Sequence, residues 1–154
     1  IAGTIPWTDF AVLSNQLLVL DFFENSVAST IHNQLVYLTS LVALDLFSNQ
    51  ISGKLPSDIE RVTALRYLDL DTNFVTGQVP SEFGKMTSME TLWMNNNLLT
   101  GTIPTEMGLM TNLKSLYLRG NVLTGSVPAE ICALILENLE VNCESLECDC
   151  CTNT

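Results

Sequence analysis

Asparagines at a fixed interval constrain the fold of this chain more than any other feature. They recur every 24 residues over most of its 154 residues. A period of this length is the signature of an array of stacked structural repeats. A buried asparagine offers two N–H donors and a carbonyl acceptor, so it can satisfy backbone polar groups in its own coil and the next. The five positions are Asn25, Asn49, Asn73, Asn97 and Asn121.

The residues around each asparagine repeat with it. In the clearest copy, the Leu-Asp-Leu pattern of residues 44–46 precedes Asn49, and Gly53 and Pro56 follow it. Alternation of apolar and polar residues predicts a short strand with one buried face. The glycine predicts a tight second corner, and the proline suits an extended segment without an amide donor. Apolar residues three apart, such as Ile59 and Val62, predict a turn of 3₁₀ helix behind the sheet.

This frame resembles the plant-type extracellular leucine-rich repeat, LxxLxxLxLxxNxLxGxIP. The resemblance covers nearly the whole chain and implies a right-handed α/β solenoid. Such a solenoid has a parallel β-sheet on its concave face and 3₁₀ or irregular segments on its convex side. We interpret residues 1–154 as one domain, with a partial repeat at 1–16, repeats starting near 17, 41, 65, 89 and 113, and a cysteine-rich C-terminal cap at about 129–154. Because the partial repeat has no N-terminal cap, we expect a fragment of a longer chain.

All five cysteines lie in this C-terminal segment. Their absence from every repeat is typical of a disulfide-stapled cap and therefore of an extracellular, cell-surface or other oxidising location. The apolar pattern of residues 136–141 predicts one more strand, reached a residue early, after which Cys143 takes the place of the next asparagine. A zinc site with thiolate ligands is the alternative. The pairing is open, and an odd number leaves one cysteine over: Cys132, Cys143, Cys148, Cys150 and Cys151.

The charge of the chain excludes some classes of partner. Six basic and 17 acidic residues give a net charge of −11. Proteins that bind nucleic acids or anionic membrane surfaces need stripes of basic residues, so we expect neither as a partner. No apolar run approaches the roughly 18 residues of a membrane-spanning helix. We expect no cofactor.

The strand register predicts which side chains face outward from the main sheet, because residues alternate across a strand. Aspartates stack in one column, where like charges opposite each other are destabilising. Aromatic residues line the same surface, and aromatics on a rigid face are typical binding anchors. The alternative is that they only pack against each other across strands. The predicted ligand-binding face, for a protein or glycan, is Asp21, Phe23, Asp45, Phe47, Tyr67, Asp69, Asp71, Trp93, Asn95, Tyr117 and Arg119.

Neither catalysis nor a metal site is expected. The single histidine, His32, falls at a convex corner, away from the strand face. Carboxylates on adjacent strands lie near the spacing of a retaining glycosidase, but this face is open and nothing separates their pKa values. A calcium ion held by Asp45, Asp69 and Asp71 is a minor alternative, because calcium loops usually bring more ligands from a tight turn.

A second periodic column, Ser52, Thr76, Thr100 and Thr124, carries hydroxyl groups. Such arrays can order water and bind ice, but Lys54 and Gln78 interrupt the neighbouring column, so we interpret these as ordinary repeat residues. The sequence therefore predicts a non-enzymatic extracellular recognition module. A structural subunit of a larger assembly is the alternative, and ice or surface binding is an outsider.

Overall fold

The fold was analysed in a computed structural model, which describes residues 2–142, 145–148 and 150. Strands and short helices alternate along the chain. The strands are β1 (Ala2–Gly3), β2 (Val19–Asp21), β3 (Ser26–Val27), β4 (Ala43–Asp45), β5 (Ser52–Lys54), β6 (Tyr67–Asp69), β7 (Phe74–Gly77), β8 (Thr91–Trp93), β9 (Leu98–Gly101), β10 (Ser115–Tyr117), β11 (Val122–Leu123), β12 (Gly125–Ser126), β13 (Asn138–Glu140) and β14 (Leu146–Glu147). The helices are α1 (Trp7–Ala11), α2 (Ala129–Cys132) and the 3₁₀ helices η1 (Asn33–Tyr37), η2 (Ser57–Arg61), η3 (Ser81–Lys85) and η4 (Thr105–Leu109).

The main sheet takes one strand from each repeat. Six parallel strands pair in the order β2, β4, β6, β8, β10 and β13. The central leucine of each strand lies in one row, from Leu20 to Leu116, and Leu139 continues that row one residue early, as predicted. Parallel neighbours need crossover connections, which are right-handed. The result is the predicted right-handed solenoid with this sheet on its concave face.

A second parallel sheet, which the sequence did not predict, lies beside the first. Strands β5, β7, β9 and β11 form it in that order. The repeat glycines therefore lie within or at the ends of strands, so the predicted glycine corner is wrong. Gly77 adopts a positive φ of 81°. A Cβ atom there would lie 3.0 Å from Cγ of Lys54 in the preceding repeat. Glycine is required by the backbone conformation and by that close approach.

The asparagine ladder connects each coil to the one before it. Asn73 Oδ1 accepts a hydrogen bond from the Ile51 amide at 2.8 Å, and Nδ2 donates to the carbonyls of Leu46 at 2.8 Å and Leu70 at 3.1 Å. Each buried asparagine thus satisfies its own coil and the preceding coil, not the following one as expected. The same pattern holds at Asn49, Asn97 and Asn121.

The residue before each ladder asparagine adopts a left-handed backbone conformation. Its φ is 49° at Glu24, 52° at Ser48, 56° at Thr72, 51° at Asn96 and 72° at Gly120. Glycine and asparagine tolerate this region, whereas other residues pay for it in strain. Stacking therefore imposes one turn geometry on five different side chains.

The 3₁₀ helices close the convex side as predicted, and their apolar residues lie in the core. Leu35, Ile59, Phe83 and Met107 are all fully buried. The first junction differs because it carries two extra residues and forms the α-helical turn α1 instead. There, Trp7 is buried and its Nε1 donates to the Thr30 carbonyl at 2.8 Å.

The C-terminal cap contains disulfides, as predicted. Cys132 is bonded to Cys150 with a Cα–Cα distance of 5.6 Å, and Cys148 is also disulfide-bonded. The zinc alternative is therefore wrong for these three cysteines, because their sulfurs are already bonded. Cys143 and Cys151 lie outside the described residues. Asn142 extends the polar contacts into the cap, where its Oδ1 accepts from the Gly120 amide at 2.7 Å.

None of the helices in the part of the chain that the structure describes is long and apolar enough to cross a membrane.

Candidate functional site: an acidic and aromatic concave face

The eleven residues predicted to face outward from the main sheet all reach the surface. None of them is buried, whereas the leucines between them are. The alternation of the strands therefore sorts these side chains onto one face, as the sequence indicated. Whether that face binds a ligand stays a prediction.

The aspartates form a continuous column across three strands. Asp21, Asp45 and Asp69 are directly paired in the sheet register. The Oδ1 atom of each accepts a hydrogen bond from the backbone amide two residues later, at 2.9 Å for Asp21 and Asp45 and 2.8 Å for Asp69. These amide dipoles partly offset the repulsion between neighbouring carboxylates.

Asp69 has the most perturbed carboxylate of the column. Partial burial raises its pKa to about 6, and the charges of Asp45 and Asp71 add to the rise, while the hydrogen bond from the Asp71 amide opposes it. Asp71 itself accepts hydrogen bonds from Thr72 Oγ1 at 2.8 Å and Asn96 Nδ2 at 3.0 Å. Among the described residues, no lysine or arginine forms an ion pair with any of these aspartates.

Two stacked aromatic pairs lie on either side of Asp69 and Asp71 along the solenoid. The rings of Phe23 and Phe47 have centroids 5.6 Å apart and an interplanar angle of 18°, and those of Trp93 and Tyr117 are 6.0 Å apart at 9°. Stacking across strands therefore occurs, as the alternative interpretation expected. The rings nevertheless remain accessible, with Phe23 48% exposed. The face thus offers two stacked aromatic pairs with the carboxylates of Asp69 and Asp71 between them.

A cluster of charges that the sequence interpretation missed lies where the central strands begin. Glu90 is only 8% exposed, and its Oε1 accepts from Arg66 Nε and forms an ion pair with Arg66 Nη2. Its Oε2 accepts from Lys114 Nζ at 2.8 Å. The hydrogen bonds from Lys114 and then Arg66 lower the pKa of Glu90. The Arg66 guanidinium lies 5.9 Å from the ring centroid of Tyr67. The signal was available, because the three charged residues are 24 apart and alternate in sign.

The remaining candidates are placed as follows. Asn95 Oδ1 accepts from the Arg119 amide at 2.8 Å, and the Arg119 side chain is exposed. His32 is exposed on the convex side, where its Nδ1 accepts from the Gln34 amide at 3.4 Å. Over residues 2–142, 145–148 and 150, no group of three or more His, Cys, Asp or Glu side chains is arranged to hold a metal. The calcium alternative at Asp45, Asp69 and Asp71 thus has no support in the geometry.

The predicted hydroxyl column is not aligned in the second sheet, because its register is shifted by two residues from one strand to the next. Ser52 pairs with Phe74, and Thr100 pairs with Val122. Phe74, Leu98 and Val122 are 52%, 47% and 59% exposed. Thr76 Oγ1 donates to the Gly53 carbonyl at 3.1 Å, which fixes its position relative to the preceding strand. The result is a surface of apolar and hydroxyl groups on a chain whose net charge is −11.

Comparison of the sequence with known families gives two matches. A model described as "Leucine Rich Repeat" matches residues 40–62, and one described as "Leucine rich repeat" matches residues 62–123. The chain belongs to the leucine-rich repeat family. A comparison of this leucine-rich repeat chain with curated proteins finds no match.

Solved structures of plant leucine-rich repeat proteins are similar over most of the chain. The plant peptide hormone receptor RGFR1, in complex with RGF2, is 35% identical with a TM-score of 0.85, over 92% of this chain and 22% of the receptor chain. The Arabidopsis receptor kinase HAESA, in complex with the peptide hormone IDA and the co-receptor SERK1, is 28% identical with a TM-score of 0.82, over 88% of this chain and 24% of that one. A plant ice-binding protein is 28% identical with a TM-score of 0.81, over 92% of this chain and 44% of that protein. The chain therefore spans about a quarter or less of the receptor chains and less than half of the ice-binding protein.

Proposed function

We propose that this chain is a non-enzymatic extracellular recognition module that binds an extended peptide segment of a protein partner across its concave face. The observation that carries the proposal is the position of Asp69 and Asp71 between two accessible aromatic pairs, without an ion pair to any described lysine or arginine. The similarity to receptor ectodomains solved with peptide hormones supports it. The disulfide between Cys132 and Cys150 supports an oxidising, extracellular location.

The charge of the face selects the chemistry of the partner. Carboxylates of Asp45, Asp69 and Asp71 lie together without a lysine or arginine among the described residues to neutralise them. A lysine or arginine side chain of the peptide would relieve that repulsion and form charge-assisted hydrogen bonds. The partner segment therefore carries at least one basic residue.

The aromatic pairs supply apolar contacts on either side of the basic residue. Rings already stacked on a partner in the sheet lose little conformational entropy when a ligand packs on them. Phe23 and Phe47 lie just beyond the ends of β2 and β4, and Trp93 and Tyr117 are the last residues of β8 and β10. A peptide running along the solenoid axis can contact both pairs while its basic side chain reaches the aspartates.

The proposal is tested by screening the chain against a library of extended peptides and a glycan array in parallel. We expect peptides with a lysine or arginine beside apolar residues to bind, with affinity that rises between pH 5 and pH 7 as Asp69 ionises. Asp69→Asn combined with Asp71→Asn should weaken binding at least about tenfold, the size of effect expected when one charge-assisted contact is lost.

Phe74→Ala is the matched control. It removes an exposed aromatic ring from the second sheet, outside the concave face. Binding that follows Phe74 rather than the aspartates would place the recognition site on the second sheet. Binding only to glycans would replace the peptide with a carbohydrate ligand.

The outer face of the second sheet favours a second candidate, adsorption to ice. Threonine hydroxyls lie opposite exposed apolar groups on neighbouring strands of this sheet, and a plant ice-binding protein has the same fold at 28% identity. Lys54 places a charge on this surface opposite Thr76, and its stem lies along Gly77.

Thermal hysteresis and inhibition of ice recrystallisation test this second function. Activity should fall when Thr100→Lys places a charge at the centre of the face, and should persist with Thr87→Lys, which alters an exposed threonine on the convex side. Wild-type protein without either activity would eliminate ice adsorption.

A further inference from the structure

We infer that Glu90 is a positioning residue for the concave face, because it holds the Arg66 guanidinium against the ring of Tyr67. This inference rests on the proposed function only in giving Tyr67 a ligand to meet. Tyr67 is the first residue of strand β6 in the main sheet, and it is 38% exposed. The placement of its ring can be measured without any ligand.

Tyr67 is held differently from the other aromatic residues of the face. Phe23 stacks on Phe47 and Trp93 stacks on Tyr117. Tyr67 has no such ring partner among the described residues, and the group found against its ring is the Arg66 guanidinium at 5.9 Å. A cation over an aromatic face is attracted to the ring quadrupole, so Arg66 can do for Tyr67 what stacking does for the other rings.

Arg66 can do this only if its own long side chain is held. Half of that side chain is exposed, and a free arginine side chain would sample many rotamers. Glu90 fixes it, since Nε of the guanidinium donates to Oε1 and Nη2 forms an ion pair with the same oxygen. A charge-assisted hydrogen bond to a buried carboxylate limits the positions that an arginine side chain can take.

Glu90 is itself fixed from the opposite side. Its other oxygen, Oε2, accepts from Lys114 Nζ at 2.8 Å, one repeat further along. The backbone adds to this, because the Glu90 amide donates to the Arg66 carbonyl and the Lys114 amide donates to the Glu90 carbonyl, both at 2.8 Å. The chain of contacts therefore runs from Lys114 through Glu90 and Arg66 to Tyr67, across three repeats.

The experiment follows the three tyrosines by ¹⁹F NMR of protein labelled with 3-fluorotyrosine. Glu90→Gln keeps the shape of the side chain and removes its charge. We expect the Tyr67 resonance to shift or broaden, while those of Tyr37 and Tyr117 stay in place. Tyr37 is the internal control, since Arg61 lies 5.9 Å from its ring centroid without any link to Glu90.

Two further variants separate positioning from a general loss of ion pairs. Lys114→Gln leaves the pair between Arg66 and Glu90 intact and should move Tyr67 less than Glu90→Gln does. If Glu90→Gln unfolds the protein, all three resonances collapse together, and the half-exposed Arg66→Gln replaces it as the decisive variant. A Tyr67 resonance that is unchanged in a folded Glu90→Gln or Arg66→Gln protein overturns the inference. Failure to find any peptide ligand would overturn the proposed function and leave this result standing.

Discussion

At the scale of single residues, the turn before each ladder asparagine stores backbone strain that could not be predicted from the sequence. Thr72 adopts a φ of 56°, where its branched Cβ is unfavourable. Asparagine tolerates this region, and Asn96 occupies the equivalent position one repeat later. Thr72→Asn should therefore raise the free energy of unfolding by about 1 kcal/mol.

Urea unfolding measures that change, and Gly120→Thr supplies the opposite test. Its φ is 72°, and an added Cβ would lie 2.5 Å from Asn96 Oδ1, so this substitution should destabilise the protein. Equal stability of Thr72→Asn and wild type would show that the turn carries no strain at Thr72.

Asp69 makes stability depend on pH in a direction opposite to that of a paired carboxylate. Its pKa is raised from 3.8 to about 6, so the charged form is less favourable in the folded protein than in the unfolded chain. Stability contributed by the neutral form is present below pH 4 and is lost as pH rises towards 6. Asp69→Asn should stabilise the protein at pH 7 by about 1 kcal/mol, allowing for solvent screening of this partly exposed group, and change little at pH 3.5.

Thermal unfolding at the two pH values checks this prediction. Asp58→Asn makes the same chemical change on an exposed residue of η2 and should have little effect at either pH. A larger gain from Asp69→Asn at pH 3.5 than at pH 7 would reverse the assigned sign.

At the scale of elements, the 3₁₀ helices pack so closely that one residue leaves no room for a side chain. A Cβ atom on Gly84 in η3 would lie 2.2 Å from the carbonyl oxygen of Glu106 in η4. Backbone cannot move aside as a flexible side chain can, so Gly84→Ala should cost about 2 kcal/mol through overpacking. Lys85→Ala in the same helix should fall within about 0.5 kcal/mol of wild type in the same unfolding assay. A neutral Gly84→Ala would mean that the coils separate at little cost.

The elements also show which parts of the fold could be predicted from the sequence. The strands of the main sheet were predictable because Leu44 and Leu46 alternate with outward residues and become buried. The second sheet was not, because a segment such as Ser52-Gly53-Lys54 has no apolar alternation of its own. Its strands form because stacking brings successive coils to hydrogen-bonding distance, which is a property of the array.

The candidate face, like the fold, was predictable from the sequence only in part. Its outward columns followed from strand alternation, including the aspartates and the aromatics. The contacts of Glu90 did not, because it occupies a polar position that the repeat frame leaves unspecified. Only comparison of residues 24 apart, Arg66 and Lys114 on either side of it, places the three charges side by side. Neither strand alternation nor the repeat frame indicates that the Arg66 guanidinium lies over the Tyr67 ring.

At the scale of the whole molecule, stability passes from each coil to its neighbours, so the C-terminal cap protects the end of the stack. Strand β13 extends the main sheet, and β14 pairs with β12. The disulfide between Cys132 and Cys150 joins the end of α2 to the segment after β14. In such arrays each repeat depends mainly on the repeats beside it. Loosening the cap should therefore open the nearest coils before the distant ones.

Cys132→Ala combined with Cys150→Ala removes this bond, which links residues 18 apart. We expect a loss of about 3 kcal/mol, the typical value for a closed loop of this size. Hydrogen exchange should become faster in β13 and β14 than in β4 and β6, which serve as the internal reference because they lie several coils away. Uniformly faster exchange along the whole chain would instead mean that the solenoid unfolds as one cooperative unit, and that the cap stabilises every coil equally.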